Sequence, residues 1–227
     1  NINERRNQLH EVIRLSGMNL IIDDSDHPLI IKVASIQAAR MQVYFIDNEE
    51  YFQRKQTYRD ADGTFYADND DRAIFFGRGV LETVKKLGWS PDIIHCHGWM
   101  TGLIPLLIKT SYKEDPMFHN SKVVYSLYND SFDEPFNTNF GKKILMDGLT
   151  AADVKELKDP NYVSLTKLAM QWSDAVVKSS PTIHDQVETA FKKLTKPTLD
   201  YKSPEEYIEA YDTFYDEAVL EDSVLAD

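Results

Sequence analysis

The chain has 227 residues, 42% of them hydrophobic, enough for one domain with a sizeable core. Its 37 acidic side chains outnumber 25 Lys and Arg, and the resulting formal net charge of −12, with no basic stripe to offset it, repels nucleic acid and anionic membrane. The lone cysteine, Cys96, excludes an internal disulfide and suits a reducing compartment, and no apolar run approaches the ~20 residues of a membrane span. The cytoplasm is the default reading: no signal peptide is visible, although the chain starts at Asn1 rather than Met.

The first third reads as β-rich. His10 to Ile22, Leu29 to Ile36 and Met41 to Ile46 are dense in Val and Ile and are separated by polar turns. A polar stretch from Asn48 to Asp70 holds Tyr51, Phe52, Tyr58, Phe65 and Tyr66. Loops this long tend to be functional or mobile. Asp70 or Asp71 is expected to cap a helix reaching Leu87, with Ala73, Phe76, Val80, Val84 and Leu87 on one face and Gly88 as its stop.

Strand Ile93–His95, helix Met100–Thr110 and strand Val123–Leu127 then form the βαβ pattern of a parallel sheet with a right-handed crossover. Asp130 to Gly148 is polar and irregular. A helix over Tyr162–Trp172, a strand at Ala175–Lys178 and a helix from Pro181 to Leu194, with Pro181 in its first turn, continue the alternation. In the tail, Ser203 caps a helix with Pro204 at its first position and Glu205 and Glu206 in its first turn. Tyr207, Tyr211, Phe214, Tyr215 and Ala218 make an apolar stripe that reads as a docking face. The expected fold is α/β: a Rossmann-like parallel-sheet domain over 1–196 with helices on both faces, and a helical tail over 197–227 that packs back on it.

His95-Cys96-His97-Gly98-Trp99 stands at the carboxyl end of a strand, where ligands bind in open α/β sheets. His95 and His97 lie two apart and share a face, with Cys96 opposite. A metal needs three or four convergent ligands, and His10, His27, His119 and His184 show no ligand spacing, so no metal is expected. The pair either satisfies buried backbone groups at the strand end or faces a ligand. Trp99 either packs under the helix start or offers a stacking face. Tyr128, Asn129 and Asp130 end the next strand and border the same cleft; Asn129 can both donate and accept, which suits sugar hydroxyls. A generic nucleotide-binding reading lacks a glycine-rich fingerprint.

The run from His95 to Leu103 resembles the His-x-His-Asp-Trp-His-x-Gly-Leu signature of bacterial glycogen and starch synthases. Further segments match in order: Tyr44-Phe45-Ile46-Asp47-Asn48; Tyr66, Asp68-Asn69 and Arg72 with Phe75 and Phe76; Ser164-Leu165; Ser173-Asp174-Ala175-Val176; and Ser179-Ser180-Pro181-Thr182. The similarity covers Asn1 to Leu194. It implies the N-terminal half of a GT-B fold and glucosyl transfer from ADP-glucose to α-1,4-glucan. His95, His97, Trp99, Tyr128 and Asn129 are the implied substrate-binding residues, with Tyr51, Phe52, Tyr58 and Tyr66 as candidates for glucan stacking or packing. No cofactor is implied. The implied partners are α-glucan or maltooligosaccharide and ADP-glucose, with a protein partner or a second copy left open.

The chain also departs from the family. Gly98 stands where the family has an active-site Asp, and Tyr128 where it has the histidine that contacts the transferred glucose. Tyrosine, with a pKa of about 10, handles protons poorly near neutrality. The family's Lys-Thr-Gly-Gly loop and its second α/β domain, which carries most of the donor site, have no counterpart among these 227 residues; the resemblance places the first strand and its glycine-rich loop upstream of Asn1. The resemblance therefore assigns no catalytic residue. Two functions follow from it: a glycosyltransferase domain completed by groups from elsewhere, and a non-catalytic glucan-binding, regulatory or partner-binding descendant. The tail stripe is similar to the tyrosine-rich C-terminal helix that crosses back onto the first domain in GT-B synthases.

Overall fold

A computed structural model describes residues 10–146 and 148–220, with backbone only for 10–16. Its first part is an antiparallel meander of β1 (His10–Ile22), β2 (Ser25–Ile36) and β3 (Met41–Asp47), in the order β1-β2-β3. Asp23 and Asp24 adopt φ of 49° and 60° between the paired Ile22 and Ser25. Such a two-residue turn matches the twist of the strands it joins, and Asp tolerates the left-handed region. Leu20, Ile22, Leu29 and Ile31 form the buried face of this sheet. A one-turn helix, α1 (Glu49–Phe52), follows; the Asn48 Oδ1 accepts the Glu50 and Tyr51 N–H groups, both at 3.0 Å.

The long helix α2 (Asn69–Leu87) lies between this sheet and α3 (Ile104–Lys109). Gly79 faces the sheet, where a Cβ would come within 2.8 Å of Ile46 Cγ2, so only glycine lets the helix seat this closely. Gly88 ends α2 as expected: at φ 64° its N–H returns to the Val84 and Lys85 carbonyls. The expected cap is corrected. Asp68 occupies the cap position without a side-chain cap bond, because Arg54 engages its carboxylate. Asp70 and Asp71 instead meet Lys143 at 2.9 and 2.8 Å, from a short helix α4 (Phe140–Lys143) inside the stretch expected to be irregular.

The second sheet is parallel: β4 (Ile93–His97), β5 (Lys122–Leu127), β6 (Ala175–Lys178) and β7 (Thr198–Leu199), in the order β4-β5-β6-β7. The three longer strands fall where their apolar runs predict; β7 is too short to leave a pattern. One face, with Cys96, Tyr125, Leu127 and Val176, joins the main core alongside α3 and α5 (Tyr162–Trp172). Asn161 and Ser164 form a capping box at the start of α5. At its end Lys196 Nζ donates to the carbonyls of Met170 and Gln171, each at 2.9 Å, and to that of Ser173.

Three predicted helices change their limits. The one expected over Met100–Thr110 breaks into a 3₁₀ turn, Trp99–Thr101, and α3, whose first turn holds Pro105, a residue with no N–H to continue a helix running in from Met100. The one expected from Pro181 starts later, as α6 (Asp185–Phe191), where the His184 Nδ1 accepts the Gln186 N–H at 3.2 Å. The tail helix starts at α7 (Tyr207–Thr213), since Ser203 to Glu206 forms only a turn, and continues as a π-helix over Phe214–Leu220. Phe214 and Val219 are buried against Val124, Ala175 and Val177 on the other face of the parallel sheet. Each such burial is worth about 1.5–3 kcal/mol. Tyr207, the first residue of the stripe, stays exposed. Among the described residues no helix is long and apolar enough to cross a membrane.

Candidate functional site

The parallel pairing brings the ends of β4 and β5 side by side, with His97 opposite Ser126. The chain then leaves β4 through Gly98 at φ 71° and ψ 177°, backbone that only glycine adopts without strain. This conformation aims residue 98 at Asp130, just past β5. A Cβ there would lie 2.8 Å from Asp130 Oδ2. That oxygen accepts the Trp99 N–H at 3.3 Å, and Oδ1 accepts the Tyr162 hydroxyl at 2.8 Å. Burial raises the Asp130 pKa, against the opposing pull of these donors. A carboxylate from the next strand end thus stands directly beside residue 98.

The alternation of strand side chains puts His95 and His97 on one face, their rings stacked 4.0 Å apart. Their roles diverge. Both nitrogens of His95 have partners: Nε2 meets Ser126 Oγ at 2.6 Å, and Nδ1 meets the Tyr215 hydroxyl of the tail. The network continues through Ser179 Oγ, 2.9 Å from both Ser126 Oγ and the Tyr211 hydroxyl. Burial, and then the neighbouring His97, push the His95 pKa down to about 3, so the ring is neutral near pH 7. Among the described residues His97 holds only the Tyr128 hydroxyl, 2.8 Å from Nδ1, and its outer edge reaches solvent. Asn129, next to Tyr128 in the chain, is exposed and anchored through its N–H to Ser180 Oγ at 3.1 Å.

Trp99 takes the packing role of the two considered for it. It is 1% exposed, with ring centroids of Tyr58, Phe132 and Phe136 at 4.7, 5.2 and 5.6 Å. Tyr51 is buried against His27, and Tyr66 lies under Arg54. Phe52 and Tyr58 line an open-sided cavity of about 580 Å³ whose other lining residues include His97, Met100 and Thr101, the end of β3 and the loop at residues 54–58. Pockets of this size hold small ligands. Cys96 is buried on the opposite face, and no described group of three or more His, Cys, Asp or Glu could hold a metal.

The sequence profile of the starch synthase catalytic domain family matches residues 1–198. The chain belongs to the starch synthase catalytic domain family. It is 43% identical over 129 residues to a glycogen synthase of Chlorobium limicola, covering 56% of this chain and 26% of that protein. With a glycogen synthase of Chlorobium luteolum the identity is 33% over 189 residues, covering 82% and 39% of the two chains. The chain thus spans well under half the length of these curated relatives. In fold it is similar to the catalytic domain of Arabidopsis thaliana starch synthase IV bound to ADP and acarbose, at a TM-score of 0.61 and 19% identity over 85% of this chain and 41% of that one.

Against the signature of the starch synthase family, this chain's own features are Gly98 matched to Asp130, and His97 matched to Tyr128. The reading from residues alone passed over Ser126 and Ser179 as functional groups. The two serines do leave a signal. Ser126 interrupts the apolar run of β5 near its carboxyl end, and Ser179 directly follows β6, positions where a polar side chain that is buried needs a partner.

Proposed function

We propose that this domain supplies the glucan-facing side of a glucosyl-transfer site working with ADP-glucose and α-1,4-glucan. The observation that carries the reading is His97. In a member of this family, its free edge lies at the carboxyl ends of the parallel strands, is oriented by Tyr128 and opens onto a cavity. His97, Tyr128 and Asn129 are the residues proposed to meet sugar hydroxyls. His95 acts one layer back, its ring fixed by Ser126 and Tyr215 and stacked beneath His97. Transfer also needs electrostatic stabilisation of the leaving phosphate, the largest single term in such reactions. Neither His97 nor Tyr128 carries a positive charge near neutral pH to provide it.

A second reading, a glucan-binding descendant without its own turnover, is favoured by one observation: Asp130 Oδ2 stands 2.8 Å from the place where a side chain at residue 98 would begin, so an acid there must displace it. Calorimetric titration of the chain with maltoheptaose and separately with ADP-glucose, alongside a labelled-glucose transfer assay, tests both. Maltoheptaose binding that weakens at least about tenfold in His97→Ala supports the glucan-facing site. Transfer of label then selects the first reading, and binding without transfer the second. No maltoheptaose binding sinks both.

A further inference from the structure

A chain of polar groups crosses the carboxyl ends of three successive strands and has both of its ends on the tail. It runs from the Tyr215 hydroxyl to His95 Nδ1, and from His95 Nε2 to Ser126 Oγ at 2.6 Å. From there it passes to Ser179 Oγ at 2.9 Å and on to the Tyr211 hydroxyl at 2.9 Å. Tyr211 and Tyr215 lie one helical turn apart, with ring centroids 6.1 Å from each other. Strand alternation places Tyr128 on the same face as Ser126, which is fully buried and paired across to His97. Burial raises the Tyr128 pKa, and hydrogen bonding with Ser179 and Ser126 opposes that rise. The Tyr128 hydroxyl in turn meets His97 Nδ1 at 2.8 Å.

The hydrogens of this chain have one placement that leaves none over. A hydroxyl carries one donor and two acceptor sites, and a neutral imidazole carries one of each. Ser179 donates to Ser126, so the Tyr211 hydroxyl donates to Ser179. The Tyr215 hydroxyl has no acceptor among the described residues other than His95 Nδ1, so it donates there and leaves the His95 hydrogen on Nε2, facing Ser126. Ser126 then accepts from both sides, and its own buried hydrogen turns to Tyr128. Tyr128 passes the direction on by donating to His97 Nδ1, which leaves the His97 hydrogen on Nε2, at the free edge. We propose that Tyr211 and Tyr215 are positioning residues: by donating inward from the tail they fix His97 as the tautomer that offers an N–H, so that the site takes a sugar oxygen as acceptor at that point. This rests on the reading of His97 as a sugar contact given above. Phe214 and Val219 dock the tail, and the two hydroxyls give it a hold on the site.

The test is NMR of the histidine ring nitrogens in the isotope-labelled full chain near neutral pH, where the shift of each nitrogen reports whether it carries the hydrogen, alongside calorimetry with maltoheptaose. The variants are Tyr211→Phe/Tyr215→Phe and, as a control, Tyr207→Phe, an exposed tyrosine of the same stripe outside the chain of hydroxyls. Phenylalanine keeps the rings that pack and removes only the two inward donors, so Ser126 is free to turn its hydrogen to His95 Nε2 or to Ser179. The expected wild-type His97 carries its hydrogen on Nε2. The double variant is expected to mix the two tautomers and to raise the maltoheptaose Kd at least about twofold, in proportion to the competent fraction lost. Tyr207→Phe should match the wild type in both. A wild-type His97 with its hydrogen on Nδ1 overturns the proposal before any variant is made. An unchanged His97 tautomer in the double variant, an equal shift in Tyr207→Phe, or a mixed tautomer with an unchanged Kd also overturns it. Tyrosine control of the tautomer in a chain that binds no maltoheptaose removes the sugar-contact reading, and with it the role of the two tyrosines, but leaves their hold on His97. Maltoheptaose binding that needs His97 and ignores both tyrosines does the reverse.

Discussion

Substituting Gly98→Asp would restore the acid of the family signature, and the structure argues that it costs stability instead. Residue 98 sits at φ 71° and ψ 177°, a region that charges any side-chain-bearing residue about 1–3 kcal/mol. The new Cβ would also stand 2.8 Å from Asp130 Oδ2, so Asp130 must move and surrender its bonds to the Trp99 N–H and the Tyr162 hydroxyl, each worth about 1 kcal/mol. Two carboxylates forced to about 4 Å repel by up to about 4 kcal/mol at an effective dielectric near 20, less once one of them takes a proton. Strain and the lost bonds alone make the expected destabilisation at least about 3–5 kcal/mol, a large part of a domain's stability, and any remaining repulsion adds to it. Asp130→Ala alone should cost about 1–2 kcal/mol, and the Gly98→Asp/Asp130→Ala pair should cost at least about 2 kcal/mol less than the sum of the singles. Urea unfolding followed by tryptophan fluorescence and circular dichroism measures all three. A Gly98→Asp protein within about 0.5 kcal/mol of wild type, or an additive double variant, refutes the coupling of these residues.

His95 makes stability depend on pH. Its folded pKa of about 3 lies below the ordinary value of 6.5, so the unfolded chain takes up a proton first, and stability falls as pH drops through 6.5 toward 3. The loss is about 2 kcal/mol by pH 5; His95→Gln should flatten that slope, and a His95 ring resonance that titrates near pH 6 in NMR would refute it. Lys143→Met strands the buried Asp70 carboxylate and should cost about 3–5 kcal/mol in urea unfolding, with Lys143→Met/Asp70→Leu recovering most of it; a cost below about 1 kcal/mol for the single variant would show that the pair is not buried in solution. Tyr215→Phe removes the tail's hydroxyl from His95 and should cost about 1 kcal/mol while Phe214 and Val219 keep the tail docked; full detachment of the tail in hydrogen exchange would contradict that division of labour.

The strands and helices were legible where a pattern was strong. β5, β6 and α5 end within a residue of their apolar runs, and Gly88 stops α2 as a left-handed cap should. Caps were less legible, because several polar residues competed for each. Asp70 and Asp71 look like caps in one dimension, but Lys143, more than seventy positions away, claims both. Candidate site residues were legible as a cluster but not as individuals. His95, His97 and Trp99 read alike in the motif, yet one is fully bonded, one has a free edge and one is buried.

The amino-acid sequence by itself determined the family, the parallel order of strands that local apolar runs enforce, and the strand end at which to look for a ligand. These depend on residues near one another in the chain, whose spacing carries the information. Only the tertiary structure decided that the meander is a separate antiparallel sheet seated on α2 through Gly79, that Asp130 fills the space beside Gly98, and that Tyr215 closes over His95. Each of these joins side chains from distant segments. Burial then sets the charge each can carry, since the cost of a charge depends on what packs around it.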